Sequence, residues 1–221
     1  MIGFVMPLPI DYLTEITSAE IRVKEDYLRR IFVANARVTN PEKGYVSAPF
    51  VNQLVDLDLQ GLASDLVAHK FSNAPIDKVV MIPNSGNPLA TTIAERLKKP
   101  LVPGRKGVGI PGAWNKPIVI EEESPSFTTG EKSSFVFNGV HEGDRVLLID
   151  DVIAYSYTSG LILNEFRRNG IEVSGLAVYF AKLFQPGVQR LKDEFNIDPF
   201  YVIGIESMNE DCSVNLSPPH F

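Results

Sequence analysis

Apolar residues in this chain gather into short dense runs, and the runs are separated by segments in which apolar positions recur at helical spacing. From about Ile16 to Val33, charged residues are interspersed with Ile21, Leu28, Ile31 and Phe32, which predicts an amphipathic helix packed on the body or on a partner. After Pro49, the spacing of Val55, Leu59, Leu62 and Leu66 by threes and fours predicts a second helix. Lys78 to Ile82 reads as a buried strand. Asn87 is then placed to cap a helix with Pro88 at its first position, Leu89, Ile93 and Leu97 on one face and Pro100 as its stop. Val146 to Ile149 has the apolar density of a central strand. The helix that follows ends in Arg167, Arg168, Asn169 and Gly170, which suit a carbonyl end and a left-handed cap. Val173 to Phe180 is a further strand, and Phe200 to Ile205 the last. The order βαβ…βαβ, without internal repeats, predicts an α/β fold with a mainly parallel central sheet and helices on both faces.

The stretch from Pro103 to Thr129 fits this scheme least well. It is rich in glycine and proline, carries Arg105, Lys106 and Lys116, and has an acidic run at Glu121 to Glu123. Long irregular segments in compact domains are usually lids, binding loops or disorder. Part of it, Ile118 to Glu121, is expected to pair in a hairpin with Ser134 to Phe137. Gly107 to Gly112 spells GxGxxG, but Pro111 and the Ala-Trp-Asn-Lys-Pro that follows are poor material for the helix a dinucleotide fingerprint must open.

Composition narrows the class. A chain of 221 residues is long enough for one domain with a sizeable core. Its net charge of −6 argues against a nucleic-acid partner held mainly by electrostatics. The lone Cys212 excludes an intramolecular disulfide, and His69, His141 and His220 lack zinc-ligand spacing. The start lacks a basic leader and is broken by Pro7 and Pro9, and no apolar run is long enough to span a bilayer. A soluble cytoplasmic protein without a membrane partner is therefore expected.

The richest chemistry lies in VLLIDDVIAYSYTSG, Val146 to Gly160, where an apolar run leads into two acids and a loop of small and hydroxyl residues that opens a helix. In an open α/β sheet, ligands sit beyond the carboxyl ends of the strands, where a helix start presents unpaired N–H groups to an anion. Asp150 and Asp151 repel phosphate but can accept hydrogen bonds from a vicinal diol such as a ribose, while Ser156, Thr158, Ser159 and the loop amides hold a phosphate. A second turn of this kind, IPNSGNPLA, Ile82 to Ala90, could aim the amides of Ser85, Gly86 and Asn87 at a pyrophosphate. The plainer readings are a strand-end Asp pair beside a capped helix, and an ordinary Asn-Pro helix start.

These segments resemble the type I phosphoribosyltransferases, whose signature places two acids after a strand and a small-residue loop around a sugar 5-phosphate. Asp150, Asp151, Ala154 and Thr158 match that signature, whereas Ser156 and Tyr157 stand where many members carry glycines. The likeness runs from about Phe50 to about Ser207 and is greatest to the xanthine-using bacterial members. No counterpart is apparent for the first thirty-five or so residues. By this resemblance PFVNQLVD, Pro49 to Asp56, brings Asn52 to a purine; Asn84, Ser85 and Gly86 form the pyrophosphate loop, with Pro83 where a glutamate is common; and Arg105 and Lys106 begin a mobile loop whose far side is Ser126 to Thr128. AKLFQPG, Ala181 to Gly187, resembles the hood over the base, with Lys182 facing an exocyclic oxygen and Phe184 near the ring. An ammonium has donors only, which suits a 6-oxopurine and not an adenine amino group. Asn52 as a helix cap, Lys182 as a strand-end surface charge and Phe184 as core filling are the alternatives.

The resemblance implies one phosphoribosyltransferase domain over residues 1–221, with 1–48 as an N-terminal arm contributing to the hood and 103–129 as the mobile active-site loop. It implies transfer of 5-phosphoribosyl from phosphoribosyl pyrophosphate to a 6-oxopurine, xanthine favoured, with Mg2+, inversion at the anomeric carbon and a homodimer. Asp150 and Asp151 would hold the ribose hydroxyls and orient magnesium-bound water, Arg105 and Lys106 would assist the leaving group, and Ala154, Tyr155, Ser156, Tyr157 and Thr158 would line the 5-phosphate. A non-catalytic regulator that binds phosphoribosyl pyrophosphate or a nucleotide, an interaction protein that keeps only the fold, and an adenine enzyme are the rival readings.

Overall fold

The computed structural model describes residues 17–83, 85–107, 116–121 and 134–221. Helix α1, Ser18–Asn35, opens on a capping box in which Glu20 N donates to Thr17 Oγ1 at 3.3 Å and Thr17 N donates to the Glu20 carboxylate at 2.8 Å. Strands β1, Arg37–Asn40, and β2, Tyr45–Ser47, form an antiparallel hairpin that the sequence pattern did not signal. The helix expected after Pro49 is divided into α2, Pro49–Asn52, and α3, Leu57–Lys70. Asp56 is the reason: its carboxylate accepts from Asp58 N at 3.0 Å and Leu59 N at 3.1 Å, so a new helix starts there and Val55 falls in the link.

Strand β3, Lys78–Met81, leads to α4, Asn87–Leu97. The cap of α4 is Gly86 rather than Asn87, and the helix ends at a left-handed Lys98 before Pro100 is reached. There follow β4, Leu101–Pro103; β5, Arg105–Lys106; β6, Ile118–Glu121; β7, Ser134–Phe137; β8, Arg145–Ile153; α5, Tyr157–Arg168; β9, Glu172–Lys182; α6, Gly187–Phe195; β10, Phe200–Met208; and β11, Val214–Leu216. Neither α6 nor β11 was expected, so Phe200 to Ile205 does not close the sheet. The hairpin of 118–121 with 134–137 is present, extended by β5 on the far edge of β7. Arg105 and Lys106 thus lie on a strand rather than in an irregular loop. The GxGxxG stretch beyond Gly107, Ser126 to Thr128, Asn84 and residues 1–16 lie outside the described residues.

The main sheet runs β11-β10-β9-β8-β3-β4, parallel except for the β10–β11 pair. Both faces are covered, which explains why its strands read as unbroken apolar runs. On β8, Leu147 and Ile149 pack with α1, α3 and α4 through Ile21, Leu66 and Ile93, while Val146 and Leu148 pack with α5, α6 and the small sheet through Ile162, Leu191 and Phe137. Ile21, Leu28 and Phe32 bury one stripe of α1. Among the described residues, no helix is long and apolar enough to cross a membrane.

One charged group in that stripe ties the two ends of the described chain together. The fully buried Glu25 carboxylate accepts from His220 N at 2.6 Å and Phe221 N at 3.0 Å, and Arg29 donates to Ser217 O at 2.5 Å. Glu25→Ala removes both acceptors and strands two amides, so a loss of about 2–3 kcal/mol is expected. Urea unfolding measures it; an unchanged midpoint would mean the tail adds no stability.

Candidate active site at the switch point of the sheet

Strand order reverses between β3 and β8. From β3 the chain crosses to β4 on one side, and from β8 it proceeds through β9 to β10 on the other. In such a sheet the crevice at the carboxyl ends of the two diverging strands is where ligands bind. Asp150 and Asp151 lie here, inside the last turns of β8 rather than beyond it, because the β8–β9 ladder continues through Asp150↔Val178 to Ile153↔Ala181. The turn after β3 lies against them. A Cβ at Gly86 would come within 3.0 Å of Asp150 Cα and 3.1 Å of Ile149 O, so only glycine lets that turn approach β8 so closely.

The two acids differ in environment. Asp151 is 9% exposed and accepts a hydrogen bond from Asn52 Nδ2, reaching across from the end of α2. Asp150 Oδ1 accepts from Asp151 N at 2.9 Å. Burial, and then the charge of Asp151, push the Asp150 carboxyl well above the usual carboxylate range. Lys182, the last residue of β9, is half-buried; burial lowers its pKa, and the negative charge of Asp151 opposes that shift. Asn52, Asp151 and Lys182 therefore form one polar cluster from three distant parts of the chain.

Beyond β8 the loop Ala154–Ser156 opens α5. Ser156 holds φ 57° and ψ 29°, the left-handed conformation that a glycine adopts freely, and its buried Oγ has no partner among the described residues. Tyr155 and Tyr157 are exposed, with rings stacked at 6.0 Å and 11°. Thr158 and Ala154 are half-buried. The AKLFQPG segment closes on this loop: Gly187 N donates to Ala154 O at 2.9 Å, and a Cβ on Gly187 would meet that same oxygen at 2.4 Å. Phe184 is 42% exposed rather than core filling. The β1–β2 turn lies over it, since a Cβ at Gly44 would fall 3.2 Å from the Phe184 ring and 2.7 Å from Gln185 Nε2.

Arg105 and Lys106 are exposed on β5, joined to the end of β3 through Gly104 N donating to Met81 O at 3.0 Å. Ser85 is exposed beside the buried Gly86, and Asn84 lies outside the described residues. Two contributors escaped the sequence reading. Gln185 is nine-tenths buried, with Oε1 unpartnered among the described residues, and Arg190 lays its guanidinium over the Tyr157 ring at 4.7 Å. Arg190 sits on α6, whose pattern of Leu191 and Phe195 was the available signal.

No family model matches the chain. It is 31% identical to the xanthine phosphoribosyltransferase of Lactococcus lactis subsp. lactis over 147 residues, 66% of this chain and 73% of that protein. It is 28% identical to the hypoxanthine/guanine phosphoribosyltransferase of Methanopyrus kandleri over 149 residues, 67% of this chain and 74% of that one. The fold matches that of adenine phosphoribosyltransferase from Trypanosoma brucei, solved in complex with AMP, pyrophosphate and ribose-5-phosphate, with TM-score 0.66 and 22% identity over 84% of this chain and 83% of that one. The chain belongs to the type I phosphoribosyltransferase family. As a member of that family it is a pentosyltransferase.

Proposed function

We propose that this protein transfers the 5-phosphoribosyl group of phosphoribosyl pyrophosphate to a ring nitrogen of a 6-oxopurine, xanthine first among them, and releases pyrophosphate. The observation that carries the reading is the carboxylate pair at the end of β8 with the half-buried Lys182 at its side, in the crevice where the strand order reverses. Asp150 and Asp151 accept hydrogen bonds from the ribose hydroxyls, and the loop from Ala154 to Thr158 receives the 5-phosphate, including at Ser156 Oγ, which has no partner among the described residues. Ser85 and Gly86 offer amides to the pyrophosphate, and Arg105 and Lys106 on β5 stabilise its charge as the anomeric C–O bond breaks. Lys182 donates to the exocyclic oxygen of the base, Asn52 faces the ring edge, and Phe184 stacks from the hood.

Two carboxylates, together with substrate phosphates and water, make a hard oxygen donor set that fits Mg2+, so Asp150 and Asp151 are the residues that would hold it. The ion would supply charge neutralisation on the leaving pyrophosphate. A homodimer and a cytoplasmic setting complete the proposal; the exposed Val23 and Tyr27, one turn apart on α1, offer apolar surface for a second copy.

Pyrophosphate release measured with xanthine, guanine, hypoxanthine and adenine in turn tests the reading. Xanthine is expected to turn over fastest and adenine least. Adenine in the lead would reverse the role given to Lys182, and binding of phosphoribosyl pyrophosphate without any turnover would identify a regulator instead.

A further inference from the structure

Asn52 is placed to do something besides face a base. It lies at the end of α2, a four-residue helix, whereas Asp151 lies near the end of the central strand β8, 99 positions away. Their side chains nevertheless meet directly, with Asn52 Nδ2 donating to Asp151 Oδ2. α2 has little freedom to withdraw as a whole: Phe50 packs edge-on against Phe32 at 6.0 Å and against Tyr179 at 6.3 Å, and Gln60 Nε2 holds Val51 O at 2.8 Å. The mobile part of the contact is therefore the Asn52 side chain itself.

We propose that the Asn52–Asp151 hydrogen bond is a latch between the base subsite and the ribose subsite, which makes the two substrates bind with positive cooperativity. The proposal rests on the preceding functional reading, in which Asn52 faces the base and Asp151 the sugar diol. In the unliganded protein the Asn52 amide is spent on Asp151. A base that takes this amide frees the carboxylate oxygen for a ribose hydroxyl, and a ribose that takes the oxygen frees the amide for the base. The latch is broken once, by whichever ligand arrives first, and the second binds without that cost. Linkage requires the effect to be reciprocal. Asn52 thus acts as a positioning residue on Asp151.

The size of the effect follows from the bond involved. A hydrogen bond to a charged group is among the stronger ones, so each ligand should raise the affinity of the other by about tenfold. Phe184 and the Gly44 turn close over the base side, while Gly187 ties the hood strand to the phosphate loop, so the latch lies between two subsites that the fold holds at fixed separation.

Calorimetric titration of the full chain tests this with two non-reacting probes, xanthine and ribose 5-phosphate. In the wild type, saturating ribose 5-phosphate is expected to tighten xanthine about tenfold, and xanthine to tighten ribose 5-phosphate by the same factor. In Asn52→Ala the factor should fall to about one, and ribose 5-phosphate alone should bind more tightly than to the wild type, because Asp151 is already free. A variant that merely lost structure would weaken the sugar phosphate, so this gain is diagnostic. Ribose 5-phosphate binding that is independent of xanthine in the wild type would overturn the latch while leaving the proposed function in place. No binding of ribose 5-phosphate at all would overturn both.

Discussion

Asp150→Asn combined with Asp151→Asn is expected to lower the rate of transfer by at least about a hundredfold without unfolding the protein. In the proposed function each carboxylate accepts hydrogen bonds from sugar hydroxyls that gain acidity as positive charge grows on the ribose, and a charge-assisted bond of this kind is worth about 1.5–3 kcal/mol. Two such losses together amount to about 3–6 kcal/mol, which at about 1.4 kcal/mol per factor of ten is two to four orders of magnitude. Stability should move the other way. Asp150 is driven above the ordinary carboxylate range by burial and by the charge of Asp151, so its proton binds more tightly to the folded than to the unfolded chain. Its contribution to stability is therefore complete below the ordinary carboxylate range and is lost as pH rises through the raised folded value. The double variant has no such titration, so its stability near neutral pH should equal or exceed that of the wild type. Asn at 151 still offers an oxygen to Asn52 Nδ2, which keeps the α2 contact. Pyrophosphate release and urea midpoints at acid and neutral pH are the measurements. Wild-type activity in the double variant would remove the acids from the reaction, and a collapsed midpoint would reassign them to folding.

Lys182→Ala should act on the base and spare the sugar donor. The amine stands half-buried at the end of β9, where burial lowers its pKa and the charge of Asp151 offsets part of that shift. A charged donor held this way contributes most where its partner is an oxygen that water no longer reaches. Removing it is expected to raise KM for xanthine by about ten- to a hundredfold, corresponding to about 1.5–3 kcal/mol, with KM for phosphoribosyl pyrophosphate changed by less than about threefold. Lys182→Met restores the packing without the charge, so it should behave as the alanine variant does toward the base. Equal losses for both substrates would show that Lys182 serves the acids and does not select the purine. Its nearness to Asp151 makes this a real alternative, which steady-state kinetics with each substrate varied in turn resolves.

The placement of the two strand-to-helix turns was open to reading from their own residues. Asp150, Asp151, Ser85 and Gly86 sit near strand ends because short apolar runs become buried strands and the polar residues that interrupt them are left at the rim. The 118–121 and 134–137 hairpin was legible for a similar reason: buried Ile118 and Ile120 alternate with exposed Val119 and Glu121, and Phe135 to Phe137 is a short buried apolar run. The divided helix at Asp56 was not, since Val55 continues the three-four spacing and only the cap interrupts it. The short strands β1, β2 and β11 carry too few residues for any periodicity to register.

What the chain by itself determined is which groups are available: two adjacent acids, two strand-to-helix turns of small and hydroxyl residues, and a lysine before Leu-Phe-Gln-Pro-Gly. What only the tertiary structure decided is which of these groups meet. The reversal of strand order sets β3 beside β8, so Gly86 packs on Asp150. Helix α2 brings Asn52 onto Asp151, and Gly187 seats on Ala154. Periodicity reports the burial of one element at a time, whereas these contacts join residues as far as 99 positions apart through surfaces that exist only once the sheet is assembled.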